Sequence, residues 1–465
     1  MFKPEIYIQR RSLLKKSVSS GIILLLGNDE SPMNYADNTY HFRQDSSFLY
    51  FFGLSFPGLA GVMDCDSGEE TIFGDDLTVE DFVWMGPQPT IAIRSASPGV
   101  KNTAPLAKLH ELLEKARSQG RKIHFLPPYR PENKIKLFEL LGILPAEAKS
   151  EASFELIMGV VNQRNHKSPE EIAEIDRAVT ISVDMHRTAM RMVRPGVRES
   201  EIAAAVQALA VASGGQIAFP VIATINGQTL HNHYHGNTLE TGRMFLLDIG
   251  AETELGYAGD LSSTMPVDPH FTERQRDIYN ISLASHNRAI EMLRPGIPFR
   301  EVYLESARVI VRGMKDLKIM KGDVDGAVEA GAHALFFPCG LGHMMGLDVH
   351  DMEDLGEVYV GWDGNPKPTQ FGIKSLRLGR PLEPGFVFTI EPGIYFIPEL
   401  IDQWRKKDHN AAFINYDRVE EYKNFGGIRN EENFLITEDG CRLLGKPKPK
   451  TVREVEEECS KKMPL

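Results

Sequence analysis

The stretch Ala189-Met-Arg-Met192-Val-Arg-Pro-Gly196 returns 100 residues later as Ala289-Ile-Glu-Met292-Leu-Arg-Pro-Gly296. Ile181-Ser182 and His186 keep the same offset with Ile281-Ser282 and His286. Each copy reads as an amphipathic helix stopped by Arg-Pro-Gly, then a second helix (Glu199 to Ser213; Phe299 to Lys315), then strand-like segments. Copies of one supersecondary unit bury their similar apolar faces against each other. The repeat therefore predicts two related halves about a pseudo-two-fold axis, with a cleft between them. The competing explanation is chance recurrence of a common helix terminator.

At 465 residues the chain exceeds what one hydrophobic core usually organises, so two domains are expected. The break falls at Asn165-His-Lys-Ser168-Pro169-Glu-Glu171, a polar connector ending in a helix start. Ser168 suits the N-cap, Pro169 the first helical position and Glu171 the reciprocal capping position, with a helix running from Pro169 to about Val193. The expected organisation is α+β: an N-terminal domain over residues 1–162 and a larger domain over 168–450. The first reads as short strands at Gly21 to Leu26, Phe48 to Phe52 and Gly61 to Met63, with a helix near Leu106 to Gln119.

Composition narrows the function class. A net charge of −12 argues against nucleic acid or an anionic membrane as the main partner. Arg10, Arg11, Lys15 and Lys16 precede the apolar run Ile22-Ile-Leu-Leu-Leu26. Five residues are too few for a signal-peptide core, so the run is expected to be a buried strand. Nothing approaches the roughly 18 apolar residues of a membrane span. Cys65, Cys339, Cys441 and Cys459 are scattered with no C-x-x-C pair, which indicates neither a zinc finger nor a disulfide framework and fits a reducing, cytoplasmic setting.

The chemistry concentrates in the C-terminal half. Met244-Phe-Leu-Leu-Asp248-Ile-Gly250 sets a carboxylate inside an apolar strand, where it needs a cation or a full set of donors. Twelve residues on, Gly259-Asp260 supplies a second acid, a spacing that suits adjacent antiparallel strands joined by a Glu252 to Gly256 turn. Two such acids repel unless a metal lies between them; taken singly, each is a turn or cap residue. Gly340-Leu-Gly342-His343 and His350 lie in a glycine-rich stretch that lets backbone pass close to a site. Glu391 ends another apolar strand, and Arg429, Glu431 and Asn433 share one face of a third by period-two alternation. Arg429 with Glu431 reads either as an ion pair or as a metal ligand with its orienting neighbour. One His with four carboxylates is an oxygen-rich set, favouring Mn(II), Co(II) or Fe(II) over tetrahedral zinc. Two ions bridged by shared carboxylates balance that charge and would acidify a water between them.

Leu247-Asp248-Ile-Gly250, Gly259-Asp260, Gly340-Leu-Gly-His343 with His350, Thr389-Ile-Glu391-Pro-Gly393 and Gly427-Ile-Arg429-Asn-Glu431 resemble, in order, the motifs of the pita-bread metallopeptidases. Within these the chain is similar to the proline-specific branch, aminopeptidase P and prolidase. Phe42-Arg-Gln-Asp-Ser-Ser-Phe48-Leu-Tyr-Phe-Phe-Gly53 looks like that branch's creatinase/aminopeptidase P-type N-terminal domain, so the likeness covers nearly the whole chain. The resemblance implies a pita-bread catalytic domain holding two divalent ions, with Mn(II) preferred. Asp248 would chelate one ion, Asp260 and Glu431 would bridge both, and His343 and Glu391 would complete the second. Glu391 would also handle the proton of the attacking hydroxide. His350 and one histidine of His231-Asn-His233-Tyr-His235 would orient substrate and stabilise the tetrahedral intermediate, with His233 preferred and His231 next. Arg429 would orient the ligands. Proline-containing peptides, cleaved between an N-terminal residue and proline, are the implied substrates, and a homodimer or homotetramer the implied assembly.

Gly372-Ile-Lys-Ser375-Leu-Arg377 resembles the prolidase segment whose Arg binds a dipeptide's free carboxylate, and a guanidinium suits that task. The alternative for Arg377 is a surface salt bridge. Two departures stand out: Cys339 occupies the usual place of a His in the substrate pocket, and Ser262-Ser263 replaces the usual Thr-Arg after the second Asp. A metal-free creatinase-type enzyme or a catalytically dead binding module would show eroded ligand acids, yet all five ligands are present. Methionine aminopeptidase would not need the large N-terminal domain.

Overall fold

The computed structural model describes residues 1–463. It divides into two compact units, one formed by Met1–Arg164 with Met352–Gly356, the other by Asn165–Asp351 and the chain from Glu357 onward. The return segment 352–356 is a feature that no sequence signal announces.

The first unit is built on a mixed sheet of β1 (Ile22–Leu26), β2 (Ala60–Asp64), β3 (Glu70–Phe73), β4 (Asn102–Ala104) and β5 (Ile123–Phe125), in the order β4-β3-β2-β1-β5. The apolar run after the basic residues is β1, a buried strand as its length implied. Leu24, Val62 and Phe73 pack with Leu109 and Leu113 of the helix Lys108–Ser118. Arg11 is itself buried, its guanidinium held by Glu70 at 2.7 Å and by the carbonyls of Phe51 and Pro98. The segment Phe48 to Phe52 is not the expected strand but the end of a helix, Ser46–Phe52. Asp45 caps it by accepting from the Phe48 amide at 2.9 Å, and Gly53 stops it at φ 64°. Every residue of that helix is buried, so its apolar run carried no helical period to read.

The second unit realises the repeat. The helix Pro169–Met192 packs beside Glu199–Ala212, and Glu273–Met292 beside Phe299–Asp316. Gly196 and Gly296 take φ of 90° and 83°, which the Arg-Pro-Gly turns require. Each turn then docks on an equivalent strand start: the Gly196 amide donates to Leu239 O at 2.9 Å and the Gly296 amide to Leu382 O at 2.8 Å. Leu239-Glu-Thr-Gly242 and Leu382-Glu-Pro-Gly385 are 143 residues apart, and so are Asp248 and Glu391. The two halves thus deliver the two acids from corresponding positions.

In the first half β7 (Ile222–Thr224), β8 (Met244–Ile249) and β10 (Leu261–Pro266) form an antiparallel sheet ordered β10-β8-β7, while β6 (Gln216–Ile217) pairs with β9 (Ala251–Glu252). In the second, β11 (Val387–Ile390), β14 (Glu432–Ile436) and β15 (Cys441–Leu443) form the sheet β11-β14-β15, and β12 (Gly393–Tyr395) pairs with β13 (Gly427–Arg429). Arg429, Glu431 and Asn433 therefore do not share one continuous strand, because the chain breaks between β13 and β14 at Asn430-Glu431. The unit continues past residue 450 into the helix Val452–Ser460, whose Glu458 pairs with Arg191 at 2.6 Å.

The helix Pro169–Met192 starts as its sequence dictates. Ser168 accepts from the Glu171 amide and Glu171 accepts from the Ser168 amide. Ser168→Ala is expected to lower unfolding stability by about 1 kcal/mol, measurable by urea denaturation; an unchanged midpoint would show that the cap contributes nothing.

Candidate metal centre

β8 is buried along its whole length, so the Asp248 carboxylate in it loses most of its hydration and needs a fixed partner. The Arg429 guanidinium pairs with it directly. Arg429 also donates to Ser262 Oγ at 2.8 Å and to the Tyr395 hydroxyl at 2.9 Å, which fixes the planar head in place. Asp260 immediately precedes β10, the partner of β8, and Glu431 immediately precedes β14, the partner of β11. Each half therefore supplies one acid at a strand end and a second at the start of the antiparallel neighbour. Asn433 pins the first of these, donating to Asp260 O at 2.6 Å and accepting from its amide at 3.1 Å. Ser262 pins the second, donating to Glu431 Oε2 at 2.7 Å.

His343 arrives on the glycine-rich loop, which runs along β11 like an extra strand. The Glu391 amide donates to Leu341 O at 2.8 Å and the Met345 amide to Val387 O at 3.0 Å. A Cβ on Gly342 would lie 2.0 Å from Thr389 O, so only glycine permits that approach. His343 Nδ1 lies 3.1 Å from Met344 O; a carbonyl only accepts, so Nδ1 carries the proton. Nε2 then presents its lone pair to Asp260 Oδ2 at 3.3 Å and Glu391 Oε1 at 3.5 Å.

Ligand atoms of Asp260, His343 and Glu431 lie within 4.8 Å of one another, all three buried. Burial, reinforced by Asp248, holds the Asp260 carboxyl well above the usual carboxylate range. Burial with Asp260 and Glu391 does the same to Glu431, and burial first also raises Glu391. Burial lowers the His343 pKa and keeps its ring neutral and able to ligate. Acids that resist ionising together, facing a neutral imidazole lone pair, form a donor set that fits divalent cations.

A cavity of about 320 Å³ opens over this cluster. Its wall contains every site residue singled out from the sequence: the four acids and the imidazole above, Arg429, His231, His233, Cys339, His350 and Arg377. The His350 ring stands edge-on to His343, centroids 4.4 Å apart. Arg377 reaches the wall while its Nε lies 3.2 Å from Glu357, so salt bridge and pocket position coexist. His235 bonds Val221 O instead. Burial pushes the Cys339 thiol up to about 12, leaving a neutral, weakly nucleophilic group at the wall. Sequence reasoning passed over Tyr395 and Thr389 as participants. Tyr395 meets Arg429 because β12 pairs with β13, a register that no local pattern encodes.

Comparison with known proteins agrees with this geometry. Residues 173–438 match the metallopeptidase family M24, and residues 7–124 match the aminopeptidase P N-terminal domain. A human Xaa-Pro dipeptidase is 28% identical over 94% of this chain and 88% of its own length. A probable Xaa-Pro aminopeptidase of Aspergillus clavatus is 31% identical over 94% and 92%. Among solved structures, zinc-substituted E. coli aminopeptidase P in complex with product superposes with a TM-score of 0.81 at 28% identity, covering 99% of this chain and 98% of that one. Proline aminopeptidase P II from Yersinia pestis gives 0.81, 28%, 99% and 100%. With the acid cluster, the paired halves and the N-terminal unit all accounted for, the chain belongs to metallopeptidase family M24, in its two-domain aminopeptidase P form.

Proposed function

We propose that this peptidase is a metal-dependent exopeptidase that cleaves between an N-terminal residue and a following proline, acting on Xaa-Pro dipeptides and also on longer Xaa-Pro peptides. The observation that carries this reading is the convergence of Asp248, Asp260, His343, Glu391 and Glu431 beneath a cavity walled by Arg377. Xaa-Pro dipeptidase and Xaa-Pro aminopeptidase are also what the similar proteins are named. Those five residues would hold two divalent ions, for which the oxygen-rich donor set favours Mn(II). When bound, the ions would acidify a shared water and polarise the scissile carbonyl.

The protein's own groups would do the rest. Glu391, whose carboxyl is already biased toward protonation, would take the proton of the attacking water and return it to the leaving nitrogen. His350 and His233, or His231 in its place, would donate to the oxygen on which charge develops. Arg429 would hold Asp248 in its ligating orientation. Arg377 would receive the carboxylate of a dipeptide, and a longer peptide would forgo that contact. Cys339 would leave this part of the pocket less polar than a His would. We further propose that residues 1–162 and 168–450 act as separate access and catalytic domains of a cytoplasmic homodimer or homotetramer. Among the described residues, no helix is long and apolar enough to cross a membrane.

Metal-stripped protein reloaded with Mn(II) is expected to turn over an Xaa-Pro dipeptide faster than the matching tripeptide. Arg377→Ala should cut dipeptide kcat/KM by about tenfold to a hundredfold, the worth of a charge-assisted contact, and leave the tripeptide unaffected; an equal loss on both would remove the clamp. Asp260→Asn should abolish turnover with an unchanged circular dichroism spectrum, and retained turnover would contradict its bridging role.

The raised carboxyl pKa values make a further demand. Groups held above their unfolded values stabilise the metal-free fold fully below about pH 4 and lose that contribution as pH rises through the folded values. Bound cations reverse the balance, since they need the carboxylates ionised. The gap in melting temperature between Mn(II)-loaded and EDTA-treated protein should therefore widen from about pH 5 to about pH 8; a constant gap would place the raised carboxyls outside the metal site.

A further inference from the structure

On the far side of β10 from the cavity lies a second buried polar layer that the reaction does not use. Its head is Lys448, 5% exposed, on the segment Gly445-Lys-Pro-Lys448-Pro-Lys450. Lys448 Nζ donates to Ser262 O at 2.8 Å and to Ser263 Oγ at 3.0 Å. Ser263 Oγ is 2.9 Å from His186 Nδ1, and His186 Nε2 is 3.1 Å from Ile249 O.

The proton positions follow from elementary bookkeeping. The Ile249 carbonyl only accepts, so Nε2 carries the hydrogen. Burial drives His186 down to about 3, so the ring is neutral and its Nδ1 accepts. Ser263 must then donate to His186, which leaves its oxygen lone pairs for the Lys448 ammonium. One directed chain runs from Lys448 through Ser263 and His186 to Ile249, spanning β10 and β8.

Those are the strands that carry the acids. Ile249 follows Asp248, and Ser262 stands directly across from Asp248 in the β8–β10 register. The Ser262 carbonyl that Lys448 holds also accepts the Glu431 amide at 3.2 Å. On its other side, Ser262 Oγ lies between Arg429 and Glu431. The cation of this layer reaches Ser263 from 185 residues further along the chain.

We propose that Lys448 is a positioning residue for the metal centre: delivered by the C-terminal segment, it sets a buried cation against Ser263 and fixes Ser262, and through it Glu431 and Arg429, in ligating register. The segment is built to hold it there. Pro447 and Pro449 stiffen its backbone. The Gly445 amide donates to Asp176 at 2.8 Å, and Lys450 pairs with Glu432 at 2.6 Å. Burial also lowers the Lys448 pKa to about 8.

This inference rests on the metal reading above, and the test separates the two. Mn(II) affinity is measured calorimetrically, with kcat and KM, for the metal-stripped wild type, Lys448→Met and the double variant Ser263→Arg/Lys448→Met. Lys448→Met should weaken Mn(II) binding by about tenfold to a hundredfold, the usual effect of removing a group that orients ligands, and lower kcat with KM unchanged. The double variant should restore affinity to within about threefold, because the introduced guanidinium returns the cation to the same buried layer. Wild-type affinity in Lys448→Met, or a folded double variant as weak as the single one, overturns the role of Lys448 and leaves the metal reading intact. If Lys448→Met does not fold, the double variant decides: folded with wild-type affinity supports the proposal, and weak or unfolded rejects it. A wild type that binds no Mn(II) removes the metal reading and this inference together.

Discussion

Asp260, Glu391 and Glu431 lie close together beside Asp248 at the floor of the cavity, and their repulsion is the force against which the second unit is organised. Burial and mutual proximity push their carboxyl groups toward protonation, which is the opposite of what a ligand needs. The fold answers with fixed partners: Arg429 on Asp248, Ser262 on Glu431, Asn433 on the backbone of Asp260, and Thr389 3.4 Å from Glu391 Oε1. These hold the oxygens in place without neutralising them all, and divalent cations complete the balance in this family of metallopeptidases.

The paired architecture explains how such a cluster assembles. A single unit of helix, turn, helix and sheet places one acid at a strand end and another at the start of the neighbouring strand. Two copies facing one another bring four acids together without any unusual local conformation. His343 lies outside this scheme. It needs the glycine-rich loop to lie against β11, where Gly342 leaves no room for a side chain.

The environment behind the acids matters as much as the acids. Arg429 and Lys448 approach Ser262 from opposite sides, one through its hydroxyl and one through its carbonyl. A strand gripped on both faces by cations resists the shifts that repulsion between Asp260 and Glu431 would otherwise drive. The neutral thiol of Cys339 and the partly exposed Arg377 instead line the cavity.

Local chemistry was legible where a side chain's type and its neighbours state a need by themselves. A carboxylate inside Met244-Phe-Leu-Leu-Asp248, a Ser-Pro-x-Glu helix start and a repeated Arg-Pro-Gly stop each have few physical solutions, and the structure adopts them. The wholly buried helix Ser46–Phe52 was misread because uniform burial erases the period that distinguishes helix from strand. The break between β13 and β14, the meeting of Tyr395 with Arg429 and the reach of Lys448 to Ser263 depend on cross-strand register and on contacts between residues far apart in the chain. Sequence alone determined which groups need partners, because desolvation and charge are properties of a residue and its immediate run. Tertiary structure decided which partners they found, because only packing brings positions 186, 263 and 448 within hydrogen-bond distance.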